Sequence, residues 1–156
     1  MLNLNYASLA SAYRRYAALP VAELIKALGW AEQSANIGAG NGALLTSLAL
    51  VSVNTPLSGP LKIEAGPLRG RKVQNGANRL ADWLAERHQA PEILSLDNGL
   101  EHVAYTLFGR RGIVAFMQAT GPSGGSIALL DGHNAAALCA TAQHKHPIEI
   151  RFWAIA

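Results

Sequence analysis

The side chains best suited to chemistry gather towards the C-terminal end of the chain. Cys139, the only cysteine, is flanked in sequence by His133, His144 and His146. A thiol beside an imidazole makes a nucleophile: the imidazole takes the proton and the thiolate attacks a carbonyl. The same four side chains are also ligand types for zinc. Their contexts argue for plainer roles. Cys139 stands in AAALCATA, where a cysteine behaves as a small buried hydrophobe. The spacing fits no compact zinc-finger pattern, and HKH before Pro147 reads as an exposed turn. No metal and no cofactor are therefore expected, and one cysteine allows no intramolecular disulfide.

A second candidate is SGGSIALLDG, Ser123 to Gly132. A glycine turn leads into a short apolar run that ends on Asp131 and Gly132, the form of an active-site strand. The first strand position, where a catalytic base can stand, holds Ser126. Asp131 lies five residues on and so on the opposite face of a strand, out of reach as a base for Ser126. As part of a DG pair it reads as a turn former. A third candidate is ANIGAGNGA, with Gly38, Gly40 and Gly42 ahead of a helix, where backbone N–H groups can cradle a phosphate. No strong strand precedes it, no lysine follows, and G-x-G-x-G is not the dinucleotide spacing. Close packing where the chain runs into a buried helix explains these glycines better. His88 and His102 fall on helices among surface-like neighbours.

These residues need elements to hold them. Leu4 to Leu19 predicts an amphipathic helix with Leu9, Tyr13 and Tyr16 on one face. Pro20 opens a second helix that Gly29 stops. Ala43 to Val53 is apolar almost all round, which predicts a buried helix. Leu57 to Arg71 reads as loop. Asn75 or Asn78 can cap a helix running to about His88, and Asp97 can cap another that Gly109 closes. GIVAFMQA, SIALLDG and IEIRFWAI predict three strands, with HNAAALCATAQ a loop or short helix between the last two. Helices first and antiparallel strands last argue an α+β fold in a single domain over 1–156.

A glycine-rich loop, a buried helix, and later a strand that starts after two glycines form the layout of papain-like cysteine peptidases. More specifically, the chain resembles the fourth family of type VI secretion amidase effectors, peptidoglycan-cleaving toxins. In that family the buried helix opens on Asn-x-Cys-Ala-x-Arg-x-Ser, and the histidine lies in Gly-His-Val-Thr-Leu-Trp-Asp/Asn-Gly. Here the two regions read NGALLTSLAL and GSIALLDG. LFGRRGIVAF, NRLADWLAERHQAPEIL and FWAIA resemble the family's strand before the histidine, its middle helix and its closing strand. The resemblance covers most of the chain after about Gly29 and implies a papain-like fold, with N-terminal helices packed on a small antiparallel C-terminal sheet.

The departures fall on the chemistry. Gly42 stands at the cysteine position, Leu45 at the arginine, Ser126 at the histidine and Leu130 at the tryptophan. Ala43, Ser47, Gly125, Asp131 and Gly132 keep the family residue. Gly42 has nothing to attack with, and a serine hydroxyl is far too weak a base at neutral pH. The resemblance therefore implies a pseudoenzyme with a degenerate site at Gly42, Ser126 and Asp131. It also implies export without a signal peptide by the type VI route, a periplasmic target such as peptidoglycan peptide, and a cognate immunity protein.

Bulk properties agree with a folded domain. Of 156 residues, half are apolar and 15% charged, enough for a core without disulfides or metal. The net charge of +3 favours anionic partners mildly, but RGRK at Arg69 to Lys72 and GRRG at Gly109 to Gly112 are too short for a nucleic-acid site. The N-terminal stretch has no basic region followed by an apolar one, so no signal peptide is expected. Two rival functions stay open: an enzyme with chemistry relocated to Cys139 and a nearby histidine, and a membrane-acting toxin that inserts the uncharged segment Gln33 to Leu61. The oligomeric state is not encoded in these patterns.

Overall fold

The computed structural model describes residues 2–30, 42–119 and 124–155. Six helices and six short strands lie among the described residues. Helix α1 is Tyr6–Ala17, started by Asn5, whose side chain accepts from the Ser8 amide. Helix α2 is Val21–Ala27, and Gly29 leaves it at φ +74°. Helix α3 is Gly42–Ser52. Strands β1 (Leu61–Lys62) and β2 (Lys72–Val73) pair as a small antiparallel sheet, β1 within the segment expected to be loop-rich and β2 just after it. Then follow α4 (Ala77–Arg87), β3 (Glu92–Leu94), α5 (Gly99–Leu107), β4 (Arg111–Met117), β5 (Ser126–Asp131), α6 (Ala135–Gln143) and β6 (Glu149–Ala154).

The main sheet is antiparallel with order β3-β6-β4-β5. Its core strand, β4, is buried on both sides. Ile113, Ala115 and Met117 join Ile127, Leu129 and Trp153 against α1, α3 and α4. Val114 and Phe116 join Leu130, Ile150 and Phe152 against α5 and α6. Two-sided burial is why GIVAFM reads as a continuous apolar run rather than an alternation. The expected layout, helices on one face of a sheet, is thus extended: α5 and α6 cover the second face.

Helix α3 is buried as its composition predicts. Ala43 and Leu50 face the sheet side, while Leu44, Leu48 and Val51 meet α2 and the β1–β2 hairpin. It has 11 residues, and among the described residues no helix is long and apolar enough to cross a membrane. In the described part of the uncharged segment, residues 42–61, a short helix packed on two sides leads into the coil before β1. Two expected caps are corrected. Gly76, not Asn75 or Asn78, precedes α4, and Asn98, not Asp97, precedes α5, neither with a side-chain capping bond.

Candidate functional site

Helix α3 begins at Gly42 and points its first turn at β5. The approach is backbone to backbone: a Cβ placed on Gly42 would lie 1.9 Å from the carbonyl oxygen of Ile127. Real side chains never sit that close, so only glycine fits the junction as built. One turn on, Ser47 is fully buried. Its Oγ donates to the Gln74 carbonyl at 2.8 Å and accepts from the Gln74 amide at 3.2 Å, tying α3 to the strand-end segment after β2. Thr46 beside it is also buried, and its hydroxyl has no hydrogen-bond partner among the described residues. Leu45 is half-buried against the α2–α3 cluster.

Ser126 opens β5, half-buried, opposite Phe116 of β4. The turn before it is set by α4. Asn78 donates its side-chain amide to the Gln118 carbonyl at 2.6 Å and accepts from the Gln118 amide at 3.2 Å. The Gln118 side chain accepts from the Gly125 amide at 2.9 Å and donates to the Lys145 carbonyl. Gly125 has φ +80°, and a Cβ there would lie 2.5 Å from Asn78 Oδ1, so glycine at this position is a packing requirement. Asn78, read in the sequence as a cap, is instead the residue that fixes this turn. Its long-range partner left no local signal.

At the far end of β5, Asp131 is exposed. Its Oδ1 accepts from the His133 and Asn134 amides at 2.8 and 2.9 Å, and its own amide donates to Asn134 Oδ1 at 2.9 Å. This is a turn former leading into α6, as expected from DG. Ser126 and Asp131 stand at opposite ends of β5.

The structure does not bring the Cys139 set together. Cys139 lies on α6, 3% exposed, in the core under the second sheet face. Burial pushes its thiol up to about 11, so it is protonated at neutral pH. His133, His144 and His146 are exposed, and His133 meets the Phe108 ring edge-on at 6.4 Å. No hydrogen bond joins Cys139 to a histidine, and no three His, Cys, Asp or Glu side chains could share a metal ion, among the described residues. Among the described residues this geometry gives the thiol no base, and a buried neutral thiol is not an activated nucleophile. Of the glycine-rich loop, only Gly42 is described; Gly38 and Gly40 lie outside the described residues.

Residues 40–153 match the family described as type VI secretion system (T6SS) amidase effector protein 4, Tae4. The chain belongs to the Tae4 family. Solved Tae4 structures share its fold. The structure of the Tae4/Tai4 effector–immunity system from Salmonella typhimurium matches with a TM-score of 0.70 at 17% identity, over 99% of each chain. The Tae4–Tai4 complex from Enterobacter cloacae matches with a TM-score of 0.69 at 12% identity, over 99% of this chain and 100% of that one. Salmonella Tae4 bound to the Enterobacter immunity protein matches at 0.67 and 17%, again over 99% and 100%. Among curated proteins none matches. The resemblance read from NGALLTSLAL and GSIALLDG is therefore correct as to family, and the papain-like fold holds across the chain.

Proposed function

We propose that this chain is a Tae4-family effector, one papain-like domain over 1–156, that has lost amide hydrolysis and acts by binding. The supporting observation is the α3–β5 junction. Gly42 and Ser126 occupy the expected cysteine and histidine positions, and a Cβ at Gly42 would sit 1.9 Å from the Ile127 oxygen. The junction thus lacks the nucleophile and the base, and also the space for a nucleophile. Asp131, the third position of the degenerate site, is occupied with its turn. The family setting supplies the rest of the reading: delivery by the type VI route, a target in the periplasm of a competing cell, and neutralisation by an immunity protein of the kind that the Salmonella and Enterobacter structures pair with Tae4.

The test is induced expression in a bacterial host, directed to the cytoplasm or to the periplasm, with analysis of wall muropeptides. The expected outcome is an uncut wall in both compartments, with or without toxicity. Cleaved stem peptides after periplasmic expression would overturn the loss of hydrolysis. Failure of a Tai4-type protein from the same source to bind the purified chain would remove the immunity partner.

A further inference from the structure

Where α4 faces the ends of β4 and β6, the surface opens into a cleft of about 680 Å³, a size within the ligand-binding range. Neither Gly42 nor Ser126 lines it. Most of its polar groups are already matched. Arg151 holds both carboxylates, Asp82 at 2.8 Å and Glu149 at 2.5 Å. The Gln118 amide is bonded to the backbone of Gly125 and Lys145. What is left has a definite chemistry. Arg79 lines the cleft, exposed, with no ion pair or hydrogen bond among the described residues. Ala119 is exposed, and its backbone N–H and carbonyl are likewise without partners among them. Ile148 presents an apolar wall, 64% exposed. A cationic fork, an unpaired backbone N–H and carbonyl, and an apolar side chain together suit a carboxylate linked through an amide to an apolar group.

We propose that this cleft binds the carboxylate end of a short peptide or an N-acyl amino acid. Arg79 takes the carboxylate, Ala119 pairs with the neighbouring amide, and Ile148 covers the apolar side chain. The site is separate from the degenerate junction and does not depend on whether that junction hydrolyses anything.

The experiment is an NMR titration of the full ¹⁵N-labelled chain with three probes: N-acetyl-leucine, its uncharged amide, and inorganic phosphate. N-acetyl-leucine should move the amide signals of Arg79, Ala119 and Ile148 and saturate on the order of millimolar. The uncharged amide and the Arg79→Gln variant should each weaken binding about tenfold or more. Arg87→Gln, a charge removed from the same helix outside the cleft, should leave it unchanged. Shifts that do not saturate, equal affinity for acid and amide, or phosphate binding as tightly as N-acetyl-leucine would overturn the proposal. The titration reads binding alone, so detection of wall cleavage would sink the loss of hydrolysis and leave this site standing.

Discussion

Helices α3 and α4 pack on the same face of the sheet and meet it in opposite ways. At α3 the contact is bare: the Gly42 Cα faces the Ile127 carbonyl with no side chain between them. At α4 the contact is propped by polar side chains. Asn78 reaches the Gln118 backbone, and Arg151 reaches from β6 to Asp82. The first contact is closed, and the second leaves a cleft. The difference teaches that the room for chemistry at a helix–strand contact is set by what stands between the two backbones. A side chain at the start of α3 would keep a gap in which a substrate atom could sit. Glycine there has no side chain and permits the gap to close.

The strongest way to break this comparison is to force a side chain into the closed contact. Gly42→Cys should destabilise the fold by about 3 kcal/mol or more, read by urea unfolding, because a Cβ meets backbone that cannot rotate away. For the same reason Gly42→Cys combined with Ser126→His should not gain hydrolysis of muropeptides; turnover by the pair would show that α3 can retreat. A second test concerns what holds α3 in place. Ser47→Ala leaves the buried Gln74 amide and carbonyl unpaired and should cost about 2 kcal/mol. A neutral result would mean that the glycine contact alone sets the position of α3.

The opposite face of the sheet, under α6, provides a further reference. There the Cys139 thiol, ordinarily near 9.0, is pushed up to about 11 by burial. The fold favours the neutral thiol, so its stability is intact below about pH 9 and falls as pH rises towards 11. At pH about 10 the loss should be about 1 kcal/mol relative to Cys139→Ala, measured by unfolding both proteins at pH about 7 and about 10. Burial also raises Tyr6 and Tyr13, but those groups are common to both proteins. A thiol reagent that labels the native chain at neutral pH would contradict the burial of α6. The smallest effect belongs to the open contact. Asp82→Asn removes one arm of the Arg151 bridge at an exposed carboxylate and should change stability by less than about 1 kcal/mol.

What the sequence made legible follows the length and one-sidedness of each element. α1 and α3 are long enough for their apolar spacing to repeat, and β4, β5 and β6 are long enough to stand out between turns. Strands of two or three residues, such as β1, β2 and β3, show no periodicity, so nothing marked them. The cap at Asn78 was misread because an asparagine just after a helix start looks like a cap until a distant partner is known; here that partner, Gln118, lies forty residues away. At the site, the replaced residues at Gly42 and Ser126 were visible in the motif. The closure between Gly42 and Ile127, the separation of Cys139 from its histidines, and the unpaired Arg79 are tertiary facts with no local trace.

The order of the sheet also constrains how the molecule assembles. The last strand in the chain, β6, is not an edge but lies between β3 and β4. Until β6 is in place, β3 has no hydrogen-bonded neighbour in the sheet, and β4 exposes one row of backbone groups. The sheet therefore cannot close before β6 has been added, and its formation depends on contacts distant in sequence. Any state in which β6 is not yet paired leaves a half-built, apolar sheet open to aggregation or to capture by a chaperone.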